Sequence, residues 1–456
     1  MLFEKLKNLD MLPMHMPGHK RNTKLLGRGL PYELDITEIG GFDDLHEMRG
    51  ILRDMAETAA LLYGAEHAFP MVNGSTGGIL AAVRAVAGSQ GSIEMSRFSH
   101  RAVYNAAELC GLSPVYLLPE QAPSFGVIAP ETVAQALENT PDARCAVLTS
   151  PTYEGFTCDL AAMSEISRAR GVPLIVDAAH GAHFGFSEHF PKNAVRCGAD
   201  IEILSLHKTL PALTQSSLAL VGKNSAVPRD ALERELRVFE TSSPSYILLA
   251  SIDRCLGLLQ NGRALFKTYV ENLRYFREKT SAMEHLEIIK MQNTSRYDMG
   301  KIIISTEKTD ITGKKIQHLL REDHNIELEM ATPDYALAMT SICDMRDSFD
   351  RLADALARID RSLRREVRPP AEPYFLPKRA MPPYATRGKG GALVPLSLAK
   401  GRMALEYIWA YPPGIPILAP GEIVDDSVIS QIRRLESSGI RPRSDYGRGE
   451  IMCAEE

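Results

Sequence analysis

One stretch of the chain reads Ile201-Glu202-Ile203-Leu204-Ser205-Leu206-His207-Lys208, an apolar run that stops at a serine, a histidine and a lysine. Its β-branched residues predict a short buried strand. Burial at the end of a strand disfavours the charged form of Lys208, and a neutral lysine amine is a nucleophile that can form a Schiff base. The alternative is a lysine that snorkels from the strand end to the surface.

A carboxylate ends a second apolar run, Val172-Pro173-Leu174-Ile175-Val176-Asp177, and His180 and His183 follow it. Because ligands of open α/β sheets bind beyond the carboxyl ends of the strands, we expect Asp177 and Lys208 to face one crevice. Pyridoxal phosphate needs this pair: a lysine for the imine, and an anion that keeps its pyridine nitrogen protonated. Taken alone, a carboxylate at a strand end is more often a helix cap or a turn residue.

A third motif, Asn73-Gly74-Ser75-Thr76-Gly77-Gly78, precedes a helix-like run. Small residues permit close backbone approach, Ser75 and Thr76 add hydroxyl donors, and a helix N-terminus supplies amide groups and a partial positive charge. The motif therefore predicts a phosphate-binding loop, although a turn followed by a helix cap explains the same residues. Its spacing matches neither the dinucleotide fingerprint nor the P-loop.

Together these motifs resemble the ornithine/lysine/arginine decarboxylases of pyridoxal-phosphate fold type I, and most closely the compact bacterial forms, which are often arginine decarboxylases. The resemblance runs in order over residues 14–422. Its stretches are Met16-Pro17-Gly18-His19-Lys20, Asp35-Ile36-Thr37-Glu38, Asp43-Asp44-Leu45-His46, residues 73–78, Ser150-Pro151-Thr152-Tyr153-Glu154-Gly155, residues 177–183, residues 205–208, Tyr411-Pro412-Pro413-Gly414-Ile415-Pro416, and Pro420-Gly421-Glu422. The resembling stretches begin near the first residue, so we expect neither the amino-terminal receiver-like wing of the larger inducible enzymes nor their ring assembly.

The resemblance implies an α/β architecture, the fold of the pyridoxal-phosphate-dependent transferases of type I. A mostly parallel, seven-stranded sheet lies between helices in that fold, and a smaller C-terminal α+β domain follows. Alternating strand and helix patterns in the middle of the chain predict the same kind of sheet. We expect an N-terminal arm over residues 1–50, a cofactor-binding domain over 51–285 and the small domain over 286–456. Within them, residues 247–280 are predicted to form one helix, 211–221 a strand, and 326–329 another strand.

The resemblance also implies roles for individual residues. Lys208, Asp177, His100 and His180 are the expected catalytic residues, with His100 stacked on the open face of the cofactor and His180 at its polar edge. The expected phosphate ligands are Ser75, Thr76, Ser205 and His207. Two alternatives stay open, since His100 is equally explained as a helix cap or an exposed residue, and His207 as a residue that only orients the loop beside Lys208.

The polar turn at residues 241–246, with Ser242 and Ser243, is implied to reach the cofactor phosphate of a neighbouring subunit. This contact implies a homodimer with shared active sites.

The implied reaction is decarboxylation of a basic L-amino acid to its polyamine-precursor amine and CO2. Arginine is the favoured substrate by resemblance only, followed by lysine and ornithine. A basic side chain needs an acidic partner, and the candidates in the matching loops are Glu38, Asp43, Asp44, Glu154 and Glu422. Two alternative functions are an aminotransferase or lyase on the same scaffold, and a regulatory subunit that binds the cofactor without turnover.

Composition excludes several other classes. A net charge of -5 with scattered basic residues argues against a nucleic-acid partner. The seven cysteines are odd in number and lack regular spacing, so we expect no disulfide framework and no metal site, as in a reducing cytoplasm. No apolar run approaches the ~20 residues of a membrane span, and the charged first ten residues do not resemble a signal peptide. The protein is therefore expected to be soluble and cytoplasmic.

Overall fold

A computed structural model describes residues 1–456 apart from 15, 18, 89, 120–125, 290–295, 367–375, 411–413, 438, 447, 448 and 456. Gly18 of the opening motif and the Tyr411-Pro412-Pro413 turn lie outside the described residues. The rest forms a large lobe around a seven-stranded sheet, a second lobe around a four-stranded sheet, and a C-terminal segment with two small sheets.

The central sheet has the strand order β1-β7-β6-β5-β4-β2-β3. Strands β2 to β6 run parallel to their neighbours within that group, whereas β7 is antiparallel to both β6 and β1. The strands are β1 (His67–Met71), β2 (Gly91–Ser96), β3 (Leu112–Leu117), β4 (Ala143–Thr149), β5 (Leu174–Asp177), β6 (Ile201–Ser205) and β7 (Ser217–Val221). This mostly parallel sheet confirms the predicted fold class.

Burial explains why these segments form the sheet. Every residue of β5, β6 and β7 is buried, as expected for strands of a sheet that is covered on both faces. Eleven helices belong to the arm and the large lobe: α1 (Leu2–Lys7), α2 (Thr23–Leu26), α3 (Ile51–Tyr63), α4 (Gly74–Ala87), α5 (Arg101–Leu109), α6 (Pro130–Asn139), α7 (Leu160–Ala169), α8 (Leu206–Thr209), α9 (Arg229–Phe239), α10 (Tyr246–Gln260) and α11 (Arg263–Lys279).

Helix α4 lies unusually close to the sheet because Gly78 has no side chain. A Cβ atom at Gly78 would lie 2.7 Å from Cε of Met71 and 3.1 Å from Cγ2 of Ile203. Close approach brings the N-terminus of α4 to the carboxyl ends of the central strands, where ligands bind in sheets of this kind.

Two predicted boundaries are wrong. The single helix expected over residues 247–280 is divided into α10 and α11, with Asn261 and Gly262 between them, and glycine weakens a helix interior. The strand expected over residues 211–221 is shortened to β7. Pro211 has no N–H to donate, and Gln215 has a φ of 79°, a left-handed conformation that ends an extended strand.

The second lobe contains a sheet of order β10-β11-β9-β8. Its strands are β8 (Glu287–Ile288), β9 (Lys301–Ser305), β10 (Met330–Ala331) and β11 (Tyr335–Met339), and its helices are α12 (Gly313–His324) and α13 (Arg346–Asp360). The hydroxyl of Thr312 caps α12 by accepting a hydrogen bond from the Lys315 N–H at 3.1 Å. The strand predicted over residues 326–329 is wrong, because these residues only lead into β10.

The C-terminal segment completes the fold. Its elements are β12 (Gly391–Pro395), β13 (Ile408–Ala410), β14 (Ile415–Leu418), α14 (Asp426–Ser437), β15 (Arg443–Ser444) and β16 (Glu450–Ala454). None of the helices in the described ranges combines the length and the apolar composition that crossing a membrane would require.

A buried ion pair joins this segment to the central sheet. The guanidinium of Arg97, just after β2, donates to both carboxylate oxygens of Glu422, at 2.8 and 3.0 Å. The Ala419 N–H donates to the same carboxylate at 2.8 Å. Both charged side chains are almost completely buried, so each depends on the other for the solvation that water no longer provides.

We therefore expect Glu422→Gln to lower the free energy of unfolding by about 3 kcal/mol or more, because it leaves the Arg97 charge buried without a counter-ion. The measurement is urea-induced unfolding followed by circular dichroism. Glu287→Gln, which breaks the exposed pair with Lys308, is the matched control and should cost less than about 1 kcal/mol. Equal effects of the two substitutions would contradict this account of the ion pair.

Candidate active site

A cavity of about 390 Å³ opens where β4, β5 and β6 end. Six of the residues singled out in the sequence contribute to its lining: Ser75, His100, Glu154, Asp177, His180 and Lys208. The second lobe closes the opposite side with residues 330–335, and the C-terminal segment adds Ile415, Pro416 and Ile417. Segments that are far apart in sequence thus surround one space of the size of small-molecule sites.

Lys208 and Asp177 reach the cavity from neighbouring parallel strands. Lys208 lies on the short helix α8, directly after β6, and Asp177 is the last residue of β5. Burial lowers the pKa of Lys208 below its ordinary value, while the negative charge of Asp177 opposes that shift. Backbone amides hold Asp177 in place, since the Ala179 N–H donates to its Oδ1 at 3.2 Å. The arrangement provides a lysine amine with a lowered pKa beside a carboxylate that the backbone holds in place.

His180 lies between two lysines. Its Nε2 is 3.1 Å from Nζ of Lys208, and its Nδ1 is 2.8 Å from Nζ of Lys301. Burial lowers the pKa of His180 far below its usual range, and the nearby positive charge of Lys301 adds to the effect. The Tyr153 ring packs on this histidine with 4.4 Å between ring centroids. These surroundings disfavour the protonated form of His180.

Lys301 was missed in the sequence. It is the first residue of β9 in the second lobe, and only 1% of its surface is exposed. The available signal was a lysine that opens an apolar run of three isoleucines, an arrangement expected of a buried strand with a charge at its end.

His100 occupies two roles at once. It lines the cavity, and it is also the N-cap of α5, because its Nδ1 accepts a hydrogen bond from the Ala102 N–H at 3.2 Å. Burial lowers the pKa of His100, Asp177 opposes the shift, and Lys208 and Arg101 add to it. His100 therefore caps a helix, as the alternative interpretation predicted, and also lines the cavity.

The predicted phosphate-binding loop lies at the N-terminus of α4. Ser75 lines the cavity, whereas Thr76 is exposed outside it. Ser205 is completely buried and is not part of the cavity lining, and its Oγ has no hydrogen-bond partner among the described residues. His207 is turned to the backbone, where its Nδ1 donates to the carbonyl oxygen of Ser216 at 3.0 Å.

These residues fit a cofactor that carries an aldehyde, a pyridine nitrogen and a phosphate. The lysine amine, the carboxylate and the helix N-terminus with Ser75 each match one of those groups. An unpaired buried hydroxyl such as that of Ser205 is costly unless a ligand satisfies it. The donor set is therefore that expected for pyridoxal phosphate.

Ser242 and Ser243 lie in an exposed turn and do not line the cavity within this chain. The turn is nevertheless attached to the phosphate-binding loop, since the Asn73 side chain donates to the Phe239 carbonyl at 2.7 Å. The Thr241 carbonyl accepts from Nε2 of His46 at 2.9 Å, which joins the turn to the arm.

The acidic candidates for the substrate contact differ in whether they line the cavity. Glu154 lines the cavity, and its Oε1 accepts a hydrogen bond from the Tyr335 hydroxyl at 2.7 Å. Glu422 is instead bound by Arg97 inside the protein, and no part of it lines the cavity. Because its carboxylate is already neutralised there, Glu422 is not retained as a substrate contact.

The arm carboxylates also lie outside the cavity lining. Asp43 closes the turn before α3, and although burial opposes it, backbone N–H groups lower its pKa. Asp44 accepts from the His46 N–H at 2.7 Å. One buried oxygen of Glu38 has no hydrogen-bond partner in the described part of the chain. These positions serve the fold of the arm within one chain.

A further acidic residue was missed. Glu329, just before β10, accepts a hydrogen bond from the Tyr153 hydroxyl, and its charge acts on both Lys208 and Lys301. The predicted strand over residues 326–329 gave no reason to expect that Glu329 contacts the other lobe. In the ranges that the structure describes, no group of three or more His, Cys, Asp or Glu side chains is arranged to hold a metal ion.

Comparison with known proteins agrees with this geometry. Residues 15–303 match the family described as Orn/Lys/Arg decarboxylase, major domain, and residues 361–439 match its C-terminal domain. The chain is 34% identical to an arginine decarboxylase of Halalkalibacterium halodurans, covering 93% of this chain and 90% of that protein. It is 32% identical to an arginine decarboxylase of Bacillus subtilis, with 93% and 91% covered.

Among solved structures, the lysine decarboxylase of Francisella novicida superposes with a TM-score of 0.81 at 17% identity, covering all of this chain and 80% of that one. At that identity the likeness concerns the fold. The two family matches and the relatives at over 30% identity go further, and the chain belongs to the Orn/Lys/Arg decarboxylase family.

Proposed function

We propose that this protein is a pyridoxal-phosphate-dependent decarboxylase of a basic L-amino acid, with arginine as the preferred substrate. The observation that carries the proposal is the meeting of Lys208 and Asp177 in one cavity, with burial lowering the pKa of the lysine. Arginine is preferred because the relatives at 34% and 32% identity are named arginine decarboxylases. Lysine and ornithine are the next candidates within the family.

Each residue of the donor set has an assigned task. Lys208 would hold the cofactor through its amine, and Asp177 would be the anion that pairs with the pyridine nitrogen. Ser75 and the amides of the α4 N-terminus would bind the phosphate, with Ser205, which is buried outside the cavity lining, as a further proposed ligand, and His207 orients the loop through its bond to the Ser216 carbonyl. His100 would offer a flat ring for stacking on the cofactor. Thr76 is a phosphate ligand only if its exposed hydroxyl turns inward.

Bound pyridoxal phosphate supplies an electron sink for the electron pair that remains when the carboxylate leaves as CO2. The protein residues do the rest. Asp177 keeps a positive charge on the ring nitrogen favourable, because a buried cation needs a nearby anion. Lys208 and His180, which are hydrogen-bonded to each other, would supply the proton that replaces the lost carboxylate. The apolar residues that the C-terminal segment adds to the cavity wall would limit the access of water.

Glu154 is proposed to bind the basic end of the substrate, and Glu329 to assist it. Glu154 lies in the cavity wall and is held by Tyr335 of the second lobe. A carboxylate can bind a guanidinium through two parallel hydrogen bonds, which an ammonium cannot reproduce. This difference supports the preference for arginine.

We further propose a homodimer in which the arm lies on the partner subunit. Large apolar residues are exposed along the arm: Met11, Leu12, Met14, Met16, Leu25, Leu26 and Leu30. Large exposed apolar surface is typical of an interaction site, and seven such side chains in one arm support this proposal. The exposed turn of Ser242 and Ser243 would then meet the phosphate site of the partner. The division at residues 50 and 285 and a cytoplasmic location are kept as proposals, and the seven free cysteines suit a reducing compartment.

The reaction is tested with a panel of arginine, lysine and ornithine, by measuring CO2 and the amine product. We expect agmatine from arginine at the highest kcat/KM, and no product with Lys208→Ala. Lys223→Ala, a change outside the cavity, is the control and should retain activity. A keto acid in place of CO2 would identify an aminotransferase, and a cofactor spectrum without any product would identify a binding subunit.

The substrate contact is tested by Glu154→Gln and Glu329→Gln. Glu154→Gln should raise KM for arginine about 10- to 100-fold with a smaller change in kcat, because it removes one charge-assisted hydrogen-bond pair. Glu329→Gln should give a smaller rise. Glu327→Gln is the matched control, since that carboxylate pairs with Arg321 away from the cavity. An unchanged KM in Glu154→Gln would remove Glu154 from the substrate site.

The dimer is tested by the double substitution Leu12→Asp with Met14→Asp, which places two charges in the exposed apolar patch of the arm. We expect the molar mass from light scattering to fall from that of two chains to that of one, since a buried unpaired charge is costly at an interface. Met345→Asp, at an exposed site in the second lobe, should leave the dimer intact. A dimer that persists in the double variant would exclude the arm as its main contact.

A further inference from the structure

The two lysines that flank His180 compete for the single acceptor nitrogen of its ring. An ammonium group only donates hydrogen bonds, and a neutral imidazole has one N–H and one acceptor nitrogen. Nε2 contacts Lys208 and Nδ1 contacts Lys301, so both ring nitrogens are engaged. If both lysines were charged, both nitrogens would have to accept, and a neutral ring has only one acceptor. The two contacts therefore require that one of the amines be neutral.

The ring cannot escape this limit by becoming charged. An imidazolium has no acceptor nitrogen, so it would then need both amines to be neutral. His180 is buried, and the groups that face it are Lys301, Lys208, His100 and His207. All four are basic, so their charges disfavour a positive charge on the ring.

We propose that Lys301 is a positioning residue for Lys208, and that the two lysines share a single ammonium charge across the ring of His180. When the ammonium of Lys208 gives a proton to Nε2, Nδ1 gives its own proton to Lys301. The ring ends as the other neutral tautomer, Lys208 becomes a neutral amine and Lys301 an ammonium. Only N–H bonds change, and the total charge stays the same.

The surroundings of Lys301 suit a lysine that alternates between two charge states. Burial lowers its pKa to about 8, and the groups that face it are Asp298, Lys208, Glu329 and Glu154. Asp298 is itself held by His183, whose Nε2 lies 3.2 Å from Oδ1. Besides His180 and Lys301, the groups that act on Lys208 include His100 and the carboxylates of Asp177 and Glu329, and both carboxylates raise its pKa. Carboxylates thus stand on both sides, and neither lysine is excluded from carrying the charge.

The chain also makes room for this contact. Gly155, in the loop after β4, has a φ of 102°, and a Cβ there would lie 2.7 Å from Cγ of Lys301. Nζ of Lys301 lies 5.5 Å from the centre of the Tyr153 ring, which can stabilise a cation. Residues of the large lobe therefore form the space into which the second lobe inserts its lysine.

This inference rests on the proposed function for its use, because a neutral Lys208 is the form that can condense with an aldehyde. Its test does not depend on turnover. The full chain without cofactor is labelled by reductive methylation at pH values from 6 to 10, and mass spectrometry gives the rate at Lys208. The variants are Lys301→Met, Lys301→Gln and Lys301→Arg, and Lys308→Met is the matched control in the same lobe.

Lys301→Met and Lys301→Gln should raise the pKa of Lys208 by about one unit, because a competing positive charge is removed, and so slow its labelling about tenfold near pH 7. Lys301→Arg keeps a permanent charge and should leave that pKa at or below the wild-type value. Lys308→Met should change nothing. A role in packing alone would move all three variants in the same direction, and an unchanged Lys208 profile in Lys301→Gln would overturn the proposal.

A second measurement uses the wild-type chain, so that it holds even if the variants fail to fold, which circular dichroism would reveal. Nitrogen NMR of the His180 ring should show a neutral imidazole in exchange between its two tautomers at neutral pH. A doubly protonated ring would overturn the proposal. A shared charge in a chain that decarboxylates no basic amino acid would refute the proposed function and leave this inference standing.

Discussion

Burial of the Lys208 amine beside the carboxylate of Asp177 is the interaction on which the rest of the structure depends. Strands β5 and β6 are parallel neighbours, and Asp177 pairs in register with Ile203. Lys208 follows Ile203 by only a few residues, so Asp177 and Lys208 lie at the same end of the sheet. Removal from water destabilises the charged form of the lysine, whereas the carboxylate of Asp177 stabilises that form. The fully buried strands, the small residues of the α4 loop and the covering helices all maintain this balance between desolvation and attraction.

The second lobe completes the site rather than merely covering it. It supplies Tyr335 to Glu154, Glu329 to Tyr153 and Lys301 to His180. Each contact joins a side chain of the second lobe to one that follows β4 or β5. The charge state of the central lysine is therefore set partly by residues more than 90 positions later in the sequence. A small change in the contact between the two lobes would therefore change the charge state of the site residues without changing the fold of either lobe.

Much of the fold was predictable because its signals are local. The apolar runs of β5 and β6, the glycines in the first turns of α4 and the Thr312 cap are each recognisable from a few neighbouring residues. The pairing of Lys208 with Asp177 followed from one rule about strand ends. Lys301, Glu329 and the Arg97 partner of Glu422 were not predictable in this way, because each acts through a contact between distant segments. The break at Gly262 was missed since the apolar periodicity continues across it.

The N-cap made by His100 has a consequence for ligand entry. Its Nδ1 accepts the Ala102 N–H, so the imidazole cannot rotate freely about its side-chain bonds without releasing the first turn of α5. A ring that faces the cavity is thereby fixed in advance, and an arriving planar molecule meets an already ordered surface. The His100 side chain therefore loses little rotamer entropy when a ligand binds. The capping hydrogen bond thus favours the binding of flat aromatic ligands.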